Sequence, residues 1–277
     1  MASTERAQPL GALDAATLAM LDALVVHSHW NQTSADWQLF ARQGRIHGVR
    51  NAQGRIVASG AVLPMGEREA WVSMILVEPA CRGRGLGRTV FEACLQDIEE
   101  RGRTAWLDAT PAGEALYVQH GFTALWRLAR WQRPARPATT SLSSAGANML
   151  AALAALDADA LGFARPAVLR DLATREGACV VRRAEAFALV RRGRVAHHVG
   201  PLIATGEPAA ADLLRHIASG LDTAVFVDVP DARTQLHAVL AGLGFTRQRP
   251  FARMVRGAAA AQGQTAFIHA IAGPEYG

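Results

Sequence analysis

The sequence predicts an α/β chain built from two similar halves. Three observations carry that expectation. Strand-like and helix-like stretches alternate along the whole length. A glycine-rich turn joins an apolar strand to an amphipathic helix at residues 77–88. A strand–helix–Gly-Phe unit also occurs twice: Thr104 to Pro111, a helix and Gly121-Phe122-Thr123 are matched by Thr223 to Pro230, a helix and Gly244-Phe245-Thr246.

Asp14 is expected to cap a helix running to about His27, with Leu18, Leu21, Leu24 and Val25 as its apolar stripe. Residues 29–37 carry Trp30 and Trp37 among polar neighbours. Such a loop-helix segment can wall a pocket or cap a small core. Residues 45–50 and 55–63 read as strands around a turn at Asn51 to Gly54. Residues 65–69 turn again, and 71–77 form the strand that enters the glycine turn. There Gly83, Gly85 and Gly87 let the backbone curl until several N–H groups converge at a helix N-terminus. The helix dipole and Arg82, Arg84 and Arg88 add positive charge. This is the chemistry of a pyrophosphate cradle, built on residues 82–88. In the helix behind it, Val90, Phe91, Cys94, Leu95 and Ile98 share one side, opposite Glu92, Gln96, Asp97, Glu99 and Glu100. Residues 104–110 read as a strand, a short helix carries Leu116, Tyr117 and His120, and a last strand runs to about Trp131.

Residues 134–148, rich in Pro, Ser, Thr and Ala, read as a linker between domains at 1–133 and 149–277. Beyond it, residues 151–156 lead a helix. Strands follow at 178–181, 186–191 and 195–204, then a helix at 209–217, a strand at 224–229 and a helix at 231–243. The duplication has decayed at the phosphate turn. Pro201 to Pro208 has one Gly, no Arg and a Glu, and Leu240 stands in the place of Tyr117.

Bulk composition narrows the function. Half of the 277 residues are hydrophobic, enough for a sizeable core, and the net charge is +5. All 29 basic residues are Arg, scattered among 24 acids, with no aromatic-interleaved basic block to suggest nucleic acid. The 3 cysteines, Cys81, Cys94 and Cys179, lack metal-ligand spacing, and an odd number argues against a disulfide framework. Met1 to Pro9 lacks a signal-peptide pattern and no apolar run approaches a membrane span, so the cytoplasm is the expected place; no metal site is expected. A dinucleotide fingerprint and a Lys-containing P-loop are both absent.

Arg82-x-x-Gly85-x-Gly87, after a strand ending Val77-x-Pro79, resembles the acetyl-CoA signature of the GNAT N-acetyltransferase superfamily. The element order of residues 10–131 is also similar to that family's. With its weaker second half the chain resembles the bacterial tandem-GNAT (YitH-type) subfamily, whose first domain is catalytic and whose second is degenerate. The resemblance implies two domains, each a mixed, mostly antiparallel twisted sheet flanked by helices. It implies acetyl-CoA as cofactor and a primary amine as acceptor. Ile75, Leu76 and Val77 would contact the pantetheine arm, and Gly83, Arg84, Gly85, Leu86, Gly87 and Arg88 the pyrophosphate. Tyr117, in Leu116-Tyr117-x-x-x-Gly121-Phe122, would be the general acid; its phenol, at an unperturbed pKa of about 10, is close to a thiol. A packed aromatic is the alternative. Where many relatives carry an Asn that bonds the pantetheine, this sequence has Thr110 and Pro111.

No base is singled out. Glu78 is expected to point to solvent, Asp108 shares a strand face with Trp106 and Thr110, and His27, His29 and His120 are further candidates. Trp30, Trp37 and Asp228 are candidate acceptor contacts, and Arg165 and Glu275 lie in segments of the second half able to cover a pocket. A covered pocket implies a small amine. The rival readings are a non-catalytic acyl-CoA sensor and a protein acetyltransferase. No nucleic-acid or membrane partner is expected, and the chain is expected to be a monomer or homodimer.

Overall fold

The computed structural model describes residues 6–142, 147–257 and 263–277. The first residues of the Met1–Pro9 reading and residues 143–146 of the expected linker lie outside that set. The chain divides into two compact units, Met1–Leu107 and Asp108–Gly277. The fold is α/β, and in each unit a mixed, mostly antiparallel sheet is flanked by helices.

In the first unit, β1 (Gln8–Leu10), β2 (Arg45–Arg50), β3 (Ile56–Met65) and β4 (Glu69–Val77) pair antiparallel in that order. β5 (Thr104–Ala109) begins in this unit and runs parallel to β4. Three helices flank the strands: α1 (Ala15–His27), α2 (Ser34–Gln43) and α3 (Leu86–Glu100). Asp14 caps α1, its carboxylate accepting from Thr17 N at 2.7 Å. Thr33 and Asp36 form a capping box at α2. Asn51 closes the β2–β3 turn by accepting from Gln53 N and Arg55 N. The strands run further than the sequence suggests, so the turn between β3 and β4 shrinks to residues 66–68.

The expected stripe of α3 is its buried face: Val90, Phe91 and Cys94 are fully covered and Ile98 nearly so. Burying each of the larger side chains stabilises by about 1.5–3 kcal/mol. The helix lies close on β3 because Gly60 has no side chain. A Cβ there would stand 2.8 Å from Ile75 Cδ1 and 2.9 Å from Cys94 Sγ.

The second unit holds α4 (Pro111–Gln119), β6 (Phe122–Arg133), α5 (Ala147–Leu161), α6 (Pro166–Ala173), β7 (Cys179–Arg183), β8 (Ala186–Arg191) and β9 (His197–Ala204). It continues with α7 (Glu207–Gly220), β10 (Val225–Pro230), α8 (Thr234–Gly242), β11 (Thr246–Arg256) and β12 (Ile268–Ala270). The strand order is β11-β6-β10-β9-β8-β7, with β12 on β9. β10 and β9 are parallel, and the other pairs are antiparallel. β6 is bonded along one edge to β10 and along the other to β11. The core gathers Val190, Val199, Leu202, Leu213, Leu214, Ile217, Val227 and Leu240.

Candidate functional site

β4 pairs with β5 only over Glu69–Trp71 against Thr104–Trp106. Both strands continue, but the pairing stops where Trp71 and Trp106 stack at 6.4 Å and 12°. Past that point β4 has left its parallel neighbour. A bulge follows: between Ser59 and Ala61 of β3 the register slips, and Met74 takes φ 56. A non-glycine residue there is strained. The buried Ser59 hydroxyl holds the distortion by donating to Met74 O at 3.0 Å. Ile75 lies in this bulge, and Leu76 and Val77 lie just beyond it on β4.

After Val77 the chain makes one short turn at Pro79–Cys81 and then the glycine turn. Gly83 (φ 78) and Gly85 (φ 80) are both left-handed, with open space where a side chain would go. Conformation therefore demands glycine here. Gly85 is the N-cap of α3 and brings no side chain to cover the first N–H groups, and the first turn holds no acidic residue. Arg82 ties the turn to the strand, its Nε donating to Val77 O at 3.3 Å. Gly87 lets the helix start close to β4; a Cβ would touch Val77 Cγ2 at 3.5 Å. The first unit thus sets a strand edge, an uncovered helix N-terminus and three arginines in succession.

Two candidate bases meet at the end of β4. His27 Nδ1 and Glu78 Oε2 are 3.0 Å apart, with side chains 42% and 19% exposed. Glu78, expected in solvent, is mostly covered and set beside His27 at the end of α1, while its N–H donates to Val57 O. His29 is exposed in a left-handed turn (φ 54). Trp30 is half-buried behind it, while Trp37 is fully buried in the core and presents no surface to an acceptor.

In the second unit Thr110 is the N-cap of α4, its carbonyl accepting from Gly113 N and Glu114 N. Tyr117 is half-buried on that helix. Its ring lies over Gly113, where a Cβ would stand 2.9 Å from it, and 6.1 Å from the Phe122 ring. His120 engages Leu116 O of its own helix at 2.8 Å.

Asp108 and Asp228 prove to be ion-pair residues. Arg253 of β11 donates two bonds to Asp108, at 2.9 and 2.8 Å, and its guanidinium lies 4.4 Å over Trp126. Arg130 of β6 donates two bonds to Asp228, at 2.8 and 2.7 Å. All four side chains are almost wholly buried. Burial pushes the Asp108 carboxyl up, against the pull of Arg253. Burial opposes ionisation of Asp228 too, but Arg130 outweighs it and holds that carboxyl low. Neither carboxylate has surface to offer a substrate. Arg165 binds Asp157 at 2.7 Å twice over, and Arg191 binds Glu275 at 2.9 Å.

Two family models match the chain: the Acetyltransferase (GNAT) family over residues 15–122 and an Acetyltransferase (GNAT) domain over residues 153–269. YitH of Bacillus subtilis (strain 168), an uncharacterized N-acetyltransferase, is 26% identical over 75% of this chain and 77% of its own. This chain is a tandem GNAT acetyltransferase. Solved structures share the fold. A putative acetyltransferase from Pyrococcus horikoshii superposes with a TM-score of 0.79 at 19% identity, covering 98% of this chain and 96% of that one. A tandem GNAT protein of the clavulanic acid biosynthesis pathway superposes at 0.62 with 18% identity, covering 93% and 99%.

GNAT membership implies an acyl-CoA, and the residues of the leading copy fit one. Two left-handed glycines and an acid-free helix start suit a diphosphate. The β4 edge beyond Trp71 suits an extended amide chain. The corresponding place in the trailing copy does not fit. Its helix α7 starts with Gly206 in extended conformation, Glu207 in the first turn and Pro208 behind it, and Glu207 already accepts from Leu236 N at 2.8 Å. Among the described residues no helix is long and apolar enough to cross a membrane, and no cluster of metal-type ligands occurs.

Sequence reasoning missed the Ser59 pin, the two Arg–Asp pairs and the short strand Ile268–Ala270. The repeat carried a usable signal for the pairs. Arg130 and Arg253 follow Gly121-Phe122 and Gly244-Phe245 at the same spacing.

Proposed function

We propose that this GNAT protein is an acetyl-CoA-dependent N-acetyltransferase acting on a primary amine of a small metabolite. Its catalytic part is assigned to residues 1–133 and its non-catalytic partner to 149–277, with 134–148 between them. The observation that carries the proposal is the β4 edge running directly into the glycine turn at the start of α3. The cofactor, when bound, supplies an activated acyl thioester. The N–H groups of residues 83–88 bind its diphosphate, helped by Arg82, Arg84 and Arg88. Ile75, Leu76 and Val77 orient the pantetheine arm along the strand edge, with Thr110 as a further contact.

An amine attacks only when neutral, so a base must hold its proton. Glu78 with His27 is the pair to assign, since the structure joins these two half-covered groups at 3.0 Å. The phenol Oη of Tyr117 holds the proton that the departing sulfur takes up. That assignment rests on its motif and on the fixed seat of its ring over Gly113.

The test is thiol release across a panel of small amines and peptides, with Tyr117→Phe and Glu78→Gln alongside. Each variant is expected to lose about 10²- to 10⁴-fold in kcat with little change in CoA affinity. CoA binding without turnover on any amine would make the protein a sensor. Faster turnover of peptides than of small amines would make it a protein acetyltransferase.

A further inference from the structure

The trailing copy has its own parted strands. β9 and β10 pair only over His197–Val199 against Val225–Val227, then separate. The gap is filled. β12 pairs antiparallel with β9, Ile268 opposite Ile203 and Ala270 opposite Leu202. One residue on, Ile271 N donates to Asp228 O of β10 at 3.0 Å. A single segment therefore bonds to both edges of the opening.

The two copies can be aligned by their bulges. In β4 the slip leaves Met74 and Ile75 without partners in register, between Ser73 and Leu76. In β9 it leaves Gly200 and Pro201, between Val199 and Leu202. Leu202 and Ile203 thus stand where Leu76 and Val77 stand in the leading copy. Those are the positions assigned to the pantetheine arm, and in the trailing copy they are bonded to residues 268–270.

The fit is close. Gly200 is a glycine because the segment's backbone lies against it: a Cβ there would fall 1.9 Å from Ile271 O. Ile268, His269, Ala270, Ile271, Ala272 and Tyr276 are all at most 2% exposed. Arg191 holds Glu275 at 2.9 Å. Arg165, fixed by Asp157, donates to the backbone oxygens of Tyr276 and Gly277.

We propose that the trailing copy retains a slot for an extended, amide-bearing chain of pantetheine type, and that residues 268–277 are its built-in occupant. Each chain then takes one acyl-CoA, at the leading copy. An unpaired strand edge inside a protein leaves N–H and C=O groups unsatisfied, so the slot must be filled. A tethered segment fills it at high effective concentration and excludes a free ligand. This rests on the cofactor reading of β4.

Hydrogen exchange of the full chain tests it, with pantetheine as the probe because it lacks the diphosphate that α7 cannot hold. Glu275→Arg sets like charges against Arg191 outside the slot, and Gly200→Ala collides with Ile271 O inside it. In both variants exchange at residues 202–204 and 268–271 is expected to rise about 100-fold, in the manner of a local opening. Pantetheine should then slow residues 202–204 again. Unchanged exchange there in both variants, no reprotection by pantetheine, or two CoA molecules bound to the parent chain would each overturn the proposal. Failure of the cofactor reading shows separately: CoA and pantetheine would then leave exchange at Leu76 and Val77 of the parent unaltered.

Discussion

Replacing Arg253 by Met isolates one of the two buried ion pairs. The substitution removes both donors to Asp108, at 2.9 and 2.8 Å, and the cation over Trp126. It leaves a carboxyl with no exposed surface. Breaking one side of such a pair costs about 3–5 kcal/mol, because the remaining charge is buried alone. For a unit of this size each kcal/mol moves Tm by about 2–4 °C, so the expected loss is roughly 6–20 °C. The pH dependence has a definite sign. Burial already raises the Asp108 carboxyl, and without Arg253 it rises further. A group with a raised folded pKa stabilises below its unfolded pKa, and that stability is lost as pH rises. The variant's deficit should therefore be larger at pH 8 than at pH 5.5. Thermal unfolding by circular dichroism at both pH values reads it out. The double variant Arg253→Met, Asp108→Leu should recover most of the loss, since an apolar pair replaces an ionic one at little cost. A single-variant loss below about 1 kcal/mol at pH 8 would refute the reasoning, as would a double variant no better than the sum of the singles.

Other consequences are simpler to measure. Gly85→Ala forces an L side chain into φ 80, a strain of about 1–2 kcal/mol with no steric clash to relieve. Calorimetry should show the Kd for acetyl-CoA weakened about 5- to 30-fold, and unchanged affinity would remove the turn from the cofactor site. Burial holds His47, His198 and His269 below the ordinary histidine range. The unfolded chain takes up these protons as pH falls through about 6.5 while the folded chain resists. Stability should fall toward acid, by at most about 1.4 kcal/mol per pH unit for each histidine, with Asp108, shifted the other way, offsetting at most one of them. Urea unfolding between pH 7.5 and 5.5 checks this; flat or rising stability toward acid contradicts it.

Local chemistry was the legible part of the sequence. Asp14 caps α1, Asn51 shapes its turn and the stripe of α3 is buried, because each depends on neighbours within a few residues. The strand–turn–helix of the cradle was legible for the same reason. Trp37 misled because Thr33 and Asp36 beside it look like a polar pocket, whereas they are spent on a capping box. The ends of the expected elements shifted where backbone pairing extends them, as in β3 and β4. Short pieces held by partners far along the chain left no trace: β1 and β12 have too few residues to show a period. Asp108 and Asp228 were visible as acids in strands, but their role depends on arginines more than a hundred and nearly a hundred residues away. No window along the sequence contains both partners.

The pairing of those acids gives a physical reason for a duplicated chain to keep both halves. Asp108 belongs to the leading repeat and is bound by Arg253 of the trailing one; Asp228 belongs to the trailing repeat and is bound by Arg130 of the leading one. β6, from the leading repeat, is correspondingly bonded on both edges to strands of the trailing repeat. Each repeat therefore completes its polar core with a group from the other. Gly206 and Glu207 lie outside the ion pairs, and a substitution at Glu207 removes only its bond from Leu236 N. A substitution in β10 or β11 strands a buried charge, at a cost comparable to a large part of the folding free energy. The opening between β9 and β10 is filled by the segment at Ile268–Ala270.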